Sequence, residues 1–299
     1  MSTCRVAILN ADTPVPSVLA ERGQYSDIFA TLLKHAAAQA QDLASLALDF
    51  IAYNCVLGHY PTTLELDSID AIIITGSCNK PHPPLSLNFK LTPTPAASVY
   101  ETTPWILTLA QFLKEMYTTR PRIKMFGSCF GHQILCHALF STPEQPVVSC
   151  NPAGWEIGIH AITLASAFLS RFGAVTSNVG APTQLRQQLV HADHVVLHDG
   201  MPEGFVSVGR SAHCALQGVY QQGRVLTSQG HVEFDEFVNA ETVLVFGKTV
   251  WSKEFMEVAL KGTKGVDDAV WAAQVVVRFF LEEALEEGCS SSRSIQAKS

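Results

Sequence analysis

Cys129 lies in the run Met125-Phe126-Gly127-Ser128-Cys129-Phe130-Gly131-His132-Gln133, with a glycine two residues to either side. A cysteine can form a covalent intermediate at a carbonyl carbon when a base keeps it ionised and an acidic group orients that base. Further along, Gly230-His231-Val232-Glu233-Phe234 supplies both groups. Residues two apart on an extended segment face the same side, so the Glu233 carboxylate can reach the far ring nitrogen of His231 without help from another part of the chain. Gly230 lets the backbone pass close by. Any one of the 11 histidines would otherwise read as a surface or satisfied interior residue. The pairing with Glu233 singles out His231.

The elements that must position these groups are legible around them. Ile123 to Phe126 is a short apolar strand, and Ile134, Leu135, Ala138 and Leu139 recur at near-helical spacing directly after Gly131. Cys129 therefore falls in a sharp strand-to-helix turn, for which Gly127 and Gly131 give the backbone room and freedom of angle. The N–H groups of the first helical turn, Phe130 N–H among them, point at such a residue. The positive end of the helix dipole favours thiolate over thiol there. A buried structural cysteine is the alternative, but it would not need a glycine at both positions.

Upstream, Arg5 to Asn10 reads as a buried strand, Ser26 as the cap of a helix to about Gln41, and Leu46 to Tyr53 as a second strand. Ile69-Asp70-Ala71-Ile72-Ile73-Ile74-Thr75 is a β-branched run that ends in Gly76-Ser77, as expected of a central parallel strand. Thr103-Pro104-Trp105 opens a helix to about Tyr117, with threonine as cap and proline at the first helical position. This alternation predicts an α/β fold: a three-layer αβα arrangement around a mostly parallel sheet, with the chemistry at the carboxyl ends of the strands. Downstream, Trp155 to Ile159, Val195 to Leu197, Phe205 to Val208, Ala215 to Tyr220 and Arg224 to Ser228 read as an antiparallel meander. Asp267 to Glu287 reads as an amphipathic helix and Ser290 to Ser299 as a polar tail. Residues 1–288 are expected to form one domain, followed by a disordered tail over 289–299.

The chain has 299 residues, of which 47% are hydrophobic and 16% charged, enough for a full core. The net charge of −7 and the absence of a basic block argue against nucleic acid. No apolar run is long enough for a signal peptide or a membrane span, so a cytoplasmic protein without membrane association is expected. The eight cysteines contain no C-x-x-C pair, so most are expected to be reduced interior residues. His191, Asp193, His194, His198 and Asp199 are dense in ligand types, but the ligand pair that a metallohydrolase carries upstream is missing, so neither a metal nor another cofactor is expected.

Gly127-x-Cys129-x-Gly131-x-Gln133 resembles the nucleophile motif of the class I glutamine amidotransferases. So do the order of the motifs and the interval of about a hundred residues to His231-Val232-Glu233, where the family usually has proline in place of Val232. Gly154-Trp155-Glu156-Ile157-Gly158 and His191-Ala192-Asp193 resemble later strands of that family, so the resemblance runs from about Arg5 to Phe237. It implies the flavodoxin-like architecture of that family and a catalytic triad of Cys129, His231 and Glu233. It also implies an oxyanion hole in which the Gly76-Ser77 turn joins Phe130, and a glutamine pocket lined by Gln133, His191 and Asp193. The implied activity is hydrolysis of the γ-amide of glutamine, or of a γ-glutamyl compound, through a γ-glutamyl thioester. Such an enzyme would take a small-molecule substrate and pass ammonia to a separate synthase subunit. Alternatively it would act alone, like the γ-glutamyl peptidases that trim glutathione conjugates and resemble this chain in length and layout. A third alternative is a binding module that keeps the fold without turnover. Cys78 to Pro95, rich in proline, is inserted directly after the oxyanion turn. There it is expected to be a lid over the cysteine, a loose surface insertion, or a gene-model artefact such as a retained intron.

Overall fold

The structure, a computed structural model, describes residues 2–77, 98–99, 103–173 and 183–283. In chain order it runs β1 (Thr3–Asn10), α1 (Pro16–Arg22), α2 (Tyr25–Ala38), β2 (Ala47–Asn54), α3 (Thr63–Leu66), β3 (Ala71–Ile74), α4 (Pro104–Thr119), β4 (Lys124–Ser128), α5 (Phe130–Phe140) and β5 (Val148–Cys150). There follow β6 (Glu156–Leu164), α6 (Ser166–Phe172), β7 (Gln184–His191), β8 (Asp193–Val195), β9 (Val206–Ser207), β10 (Gly209–Arg210), β11 (Val219–Gln221) and β12 (Val225–Ser228). The helices α7 (Glu236–Val250), α8 (Lys253–Gly262) and α9 (Ala269–Phe280) complete the order. The insertion over 78–95 and the tail from 289 lie outside the described residues.

The main sheet has the order β2-β1-β3-β4-β12-β11-β9. Strands β2, β1, β3, β4 and β12 are parallel, while β11 and β9 close the edge antiparallel. Alternate residues of each central strand enter opposite cores, because both faces of the sheet are covered. Val6, Ile8, Ile73, Phe126 and Leu226 pack with α2 and α9 residues such as Phe29 and Val276. Ala7, Leu9, Ile72, Ile74, Met125 and Val225 pack with Leu109 and Leu113 of α4 and Ile134 and Leu135 of α5. Each fully buried Ile or Leu contributes about 1.5–3 kcal/mol, so these two layers hold the strand ends in fixed register.

Several expectations are corrected. The downstream strands do not form one meander. They divide among the main sheet, a three-stranded sheet β10-β6-β7 and the pair β5-β8, and β12 returns parallel beside β4. Strand β7 was not foreseen, because Arg186, Gln187 and Gln188 make it look polar. The two glutamines are nevertheless buried: Gln188 donates to the Thr263 carbonyl and accepts from Asn239, and Gln187 Oε1 accepts from Ser228 Oγ. Ser26 does not cap α2. The capping box is Gln24 with Asp27, and Ser26 instead donates its backbone N–H to the Asn10 side chain. The helix expected to begin at Asp267 starts at Ala269 and stops at Phe280. The chain then turns Glu282 inward, where its carboxylate accepts from Tyr220 Oη, Gly223 N and Arg171 Nε. Pro104 does occupy the first turn of α4, although the Thr103 side chain makes no capping bond.

Candidate active site

Three strand ends meet at Cys129. Ile74 of β3 pairs with Gly127 of β4, and Ser128 pairs with Ser228 of β12, so the residues that follow these strands emerge side by side. Cys129 N–H donates to the Ser228 carbonyl at 2.8 Å, which ties the elbow to β12. Cys129 has φ 52° and ψ −106°, and it is the sole residue other than glycine with positive φ among the described residues. The turn thus loads its awkward angle onto the cysteine itself. The flanking glycines serve close approach rather than unusual φ. A Cβ on Gly127 would lie 2.3 Å from the Gly131 carbonyl oxygen, and one on Gly131 would lie 2.2 Å from that of Ile74. Phe130 opens α5, where the first N–H groups have no partner within the helix.

Beyond β12 the chain carries Gln229, Gly230, His231 and Glu233 across the same edge. His231 N–H donates to the Gln188 carbonyl of β7 at 2.9 Å, and Gly230 passes so close to Gln187 that a Cβ there would sit 2.8 Å from its Oε1. The His231 ring stacks on Phe234, with centroids 3.8 Å apart, and its Nδ1 bonds Glu233 Oε1 at 2.8 Å. The second oxygen of Glu233 accepts from Ser128 Oγ at 2.8 Å. Gly76 packs between the two halves of the site: a Cβ there would meet His231 Cε1 at 2.6 Å and Cys129 Cβ at 3.7 Å. Thr75 Oγ1 accepts from Ala11 N–H and donates to the Gly76 carbonyl, fixing that peptide. Ser77 follows, buried.

Burial of His231 would by itself favour the neutral ring. The charges of Cys129 and Glu233 and hydrogen bonding to both outweigh it and raise the pKa to about 10. His231 Nε2 is buried and makes no hydrogen bond of ordinary geometry among the described residues. It is nonetheless near enough to Cys129 for the sulfur to contribute to that rise.

Gln133, His191 and Asp193 lie together on the other side of the cysteine, with their polar atoms engaged internally. Gln133 Nε2 donates to the Asp193 carbonyl and to Gln229 Oε1, both at 3.1 Å, and Gln229 Nε2 reaches Cys129 Sγ at 3.7 Å. His191 places Nδ1 at 2.9 Å from the Asp193 carbonyl and Nε2 at 3.0 Å from Glu156 Oε2. The Asp193 carboxylate accepts from Ser98 Oγ. Burial would raise the Glu156 pKa, but hydrogen bonds from His191 and Ser211 overcome this and lower it, so the group is a buried anion. Gln229 was not singled out from the sequence as a contact of Cys129. The period of two that joins His231 to Glu233 extends back to Gln229 and could have found it.

No protein-family model matches the chain. It is 31% identical over 278 residues to a glutamine amidotransferase-like protein of Schizosaccharomyces pombe, covering 93% of this chain and 98% of that one. It is 22% identical to gamma-glutamyl peptidase 5 of Arabidopsis thaliana over 64% of each chain. Its fold matches that of a glutamine amidotransferase from Thermotoga maritima with a TM-score of 0.59 at 16% identity, over 93% of this chain and 96% of the other. Identity at this level along nearly the whole length of the yeast relative shows that the chain belongs to the glutamine amidotransferase-like family.

Proposed function

We propose that this chain is a cysteine hydrolase that cleaves the γ-amide of glutamine or of a γ-glutamyl compound. The observation that carries the reading is the His231–Glu233 pair, bonded at 2.8 Å and set against the same glycine, Gly76, that packs on the strained Cys129 turn. In this reading the Cys129 thiolate attacks the γ-carbonyl carbon, forming an S–C bond and an oxyanion. Phe130 N–H and the Gly76–Ser77 turn receive that oxyanion. His231, whose pKa the neighbouring Cys129 and Glu233 raise against the effect of burial, gives its proton to the departing nitrogen as the C–N bond breaks. Glu233 holds the ring for that transfer. Water then attacks the γ-glutamyl thioester as His231 takes its proton; the C–S bond breaks, the γ-carboxyl product leaves and gives its acid proton to solvent, and the Cys129 thiolate is restored beside protonated His231.

Gln133, His191 and Asp193 would shape the pocket for the γ-glutamyl group through their bonded positions. The kinship with a γ-glutamyl peptidase favours a second version of the same chemistry, in which the leaving group is the amine of a peptide such as glutathione and no ammonia is handed on. If ammonia is the product, a separate synthase subunit would be its acceptor. Incubating the purified protein with glutamine, glutathione and a glutathione conjugate, then measuring ammonia and released amine, separates the two versions. Turnover should be absent from Cys129→Ala. Turnover of none of the three substrates, or equal turnover by Cys129→Ala, would remove the reading and leave a binding module in its place.

A further inference from the structure

The carboxylate of Glu233 is enclosed, with no exposure of its side chain, and is held by two hydrogen bonds among the described residues. One comes from the histidine it would orient. The other comes from Ser128, the residue immediately before the nucleophile, whose Oγ lies 2.8 Å from Glu233 Oε2. We infer that Ser128 is a positioning residue, whose hydroxyl fixes the Glu233 carboxylate in the orientation that aims His231 at Cys129. This inference rests on the catalytic reading above and extends it by one residue.

The geometry follows from the strand. Ser128 ends β4, and alternation along that strand puts its side chain on the same face as Phe126, the face on which Val232 also packs. The Glu233 carboxylate reaches that hydroxyl from the segment that follows β12. In a continued strand, Cys129 would point to the opposite face from Ser128, and the two residues could not serve one site. The positive φ of Cys129 breaks the alternation. Ser128 can then engage Glu233 while Cys129 lies close to His231, the partner of that same carboxylate. The strand end that carries the nucleophile thus also sets the orienting acid, and any shift of β4 relative to the His231 segment moves both together. Ser128 is fully buried, so no water from the surface stands ready to replace its proton at Oε2.

A double-mutant cycle tests this, using glutamine or glutathione, whichever the wild-type protein turns over. Ser128→Ala should lower kcat about tenfold with KM changed by less than about twofold, because a charge-assisted bond to the orienting group is lost while the pocket is untouched. In a Glu233→Ala background the same change should have no further effect on kcat, since its target is gone. Ser128→Cys, nearly the same shape with a much weaker donor, should resemble Ser128→Ala and serves if the alanine variant fails to fold. An equal loss from Ser128→Ala in both backgrounds, a change in KM rather than kcat, or full activity in Ser128→Cys would overturn the inference. Activity surviving in Cys129→Ala would instead overturn the catalytic reading itself, so the two failures are distinguishable.

Discussion

Cys129 occupies backbone angles that a residue with a Cβ adopts only when its surroundings force it, a conformation that costs roughly 1–3 kcal/mol. Replacing the side chain without relieving the backbone should keep that strain, whereas glycine removes it. Cys129→Gly should therefore melt at a higher temperature than Cys129→Ala by the equivalent of about 1 kcal/mol, measured by calorimetry on the two variants. Equal melting temperatures would mean that the turn is not strained. In the proposed mechanism His231 and Glu233 would divide the remaining work unequally, one moving the proton and the other holding the ring. Under single-turnover conditions His231→Ala should lose more of the chemical step than Glu233→Gln, and iodoacetamide should still alkylate Cys129 in Glu233→Gln. The reverse order of losses would show that Glu233 does more than orient.

At the scale of elements, the site depends on how closely the ends of β3, β4 and β12 approach. Gly76→Ala would drive a methyl group to 2.6 Å from His231 Cε1, a contact that the ring must relieve by tilting away from Phe234 and Glu233. The expected result is a fall in kcat of at least tenfold with little change in melting temperature, since the strained atom belongs to a side chain and not to the sheet. Helix α5 carries a different liability. His132 is wholly buried against β12, its Nδ1 bonded to Thr227 Oγ1 at 2.8 Å and its Nε2 without a partner among the described residues. Burial, aided by the nearby His191, lowers its pKa to about 3. The folded chain thus refuses a proton that the unfolded chain accepts below about pH 6.5. The stability tied to a neutral His132 is complete above that value and is lost as the pH falls toward 3. His132→Gln should flatten the dependence of melting temperature on pH between about 6.5 and 3.5 relative to wild type, and parallel curves would refute this assignment.

In the whole molecule, Glu282 ties the end of α9 to the β11–β12 hairpin and to α6. It accepts from Tyr220 Oη and Gly223 N at 2.9 Å and from Arg171 Nε at 2.6 Å. Arg171 is half exposed, so the loss of its ion pair counts for little. The buried Tyr220 hydroxyl and Gly223 N–H left behind in Glu282→Ala should nevertheless lower stability by about 2–3 kcal/mol in urea unfolding, without altering kcat at low temperature. No helix among the described residues is long and apolar enough to cross a membrane. The α/β alternation, the elbow at Cys129 and the pairing of His231 with Glu233 could all be read from the sequence, because each depends on neighbours within a few residues or on a period of two or 3.6. The apolar runs of β1, β3 and β4 betrayed a sheet covered on both faces for the same reason. Strand β7 could not be read, since the partners that its buried glutamines find, Ser228, Thr263 and Asn239, are all distant in sequence. The parallel return of β12 beside β4, the spread of the later strands over three sheets, the approach of Gly76 to His231 and the bond from Ser128 to Glu233 were likewise decided by tertiary structure. Each joins residues far apart along the chain, and local propensity and periodicity carry no information about which distant segments will meet.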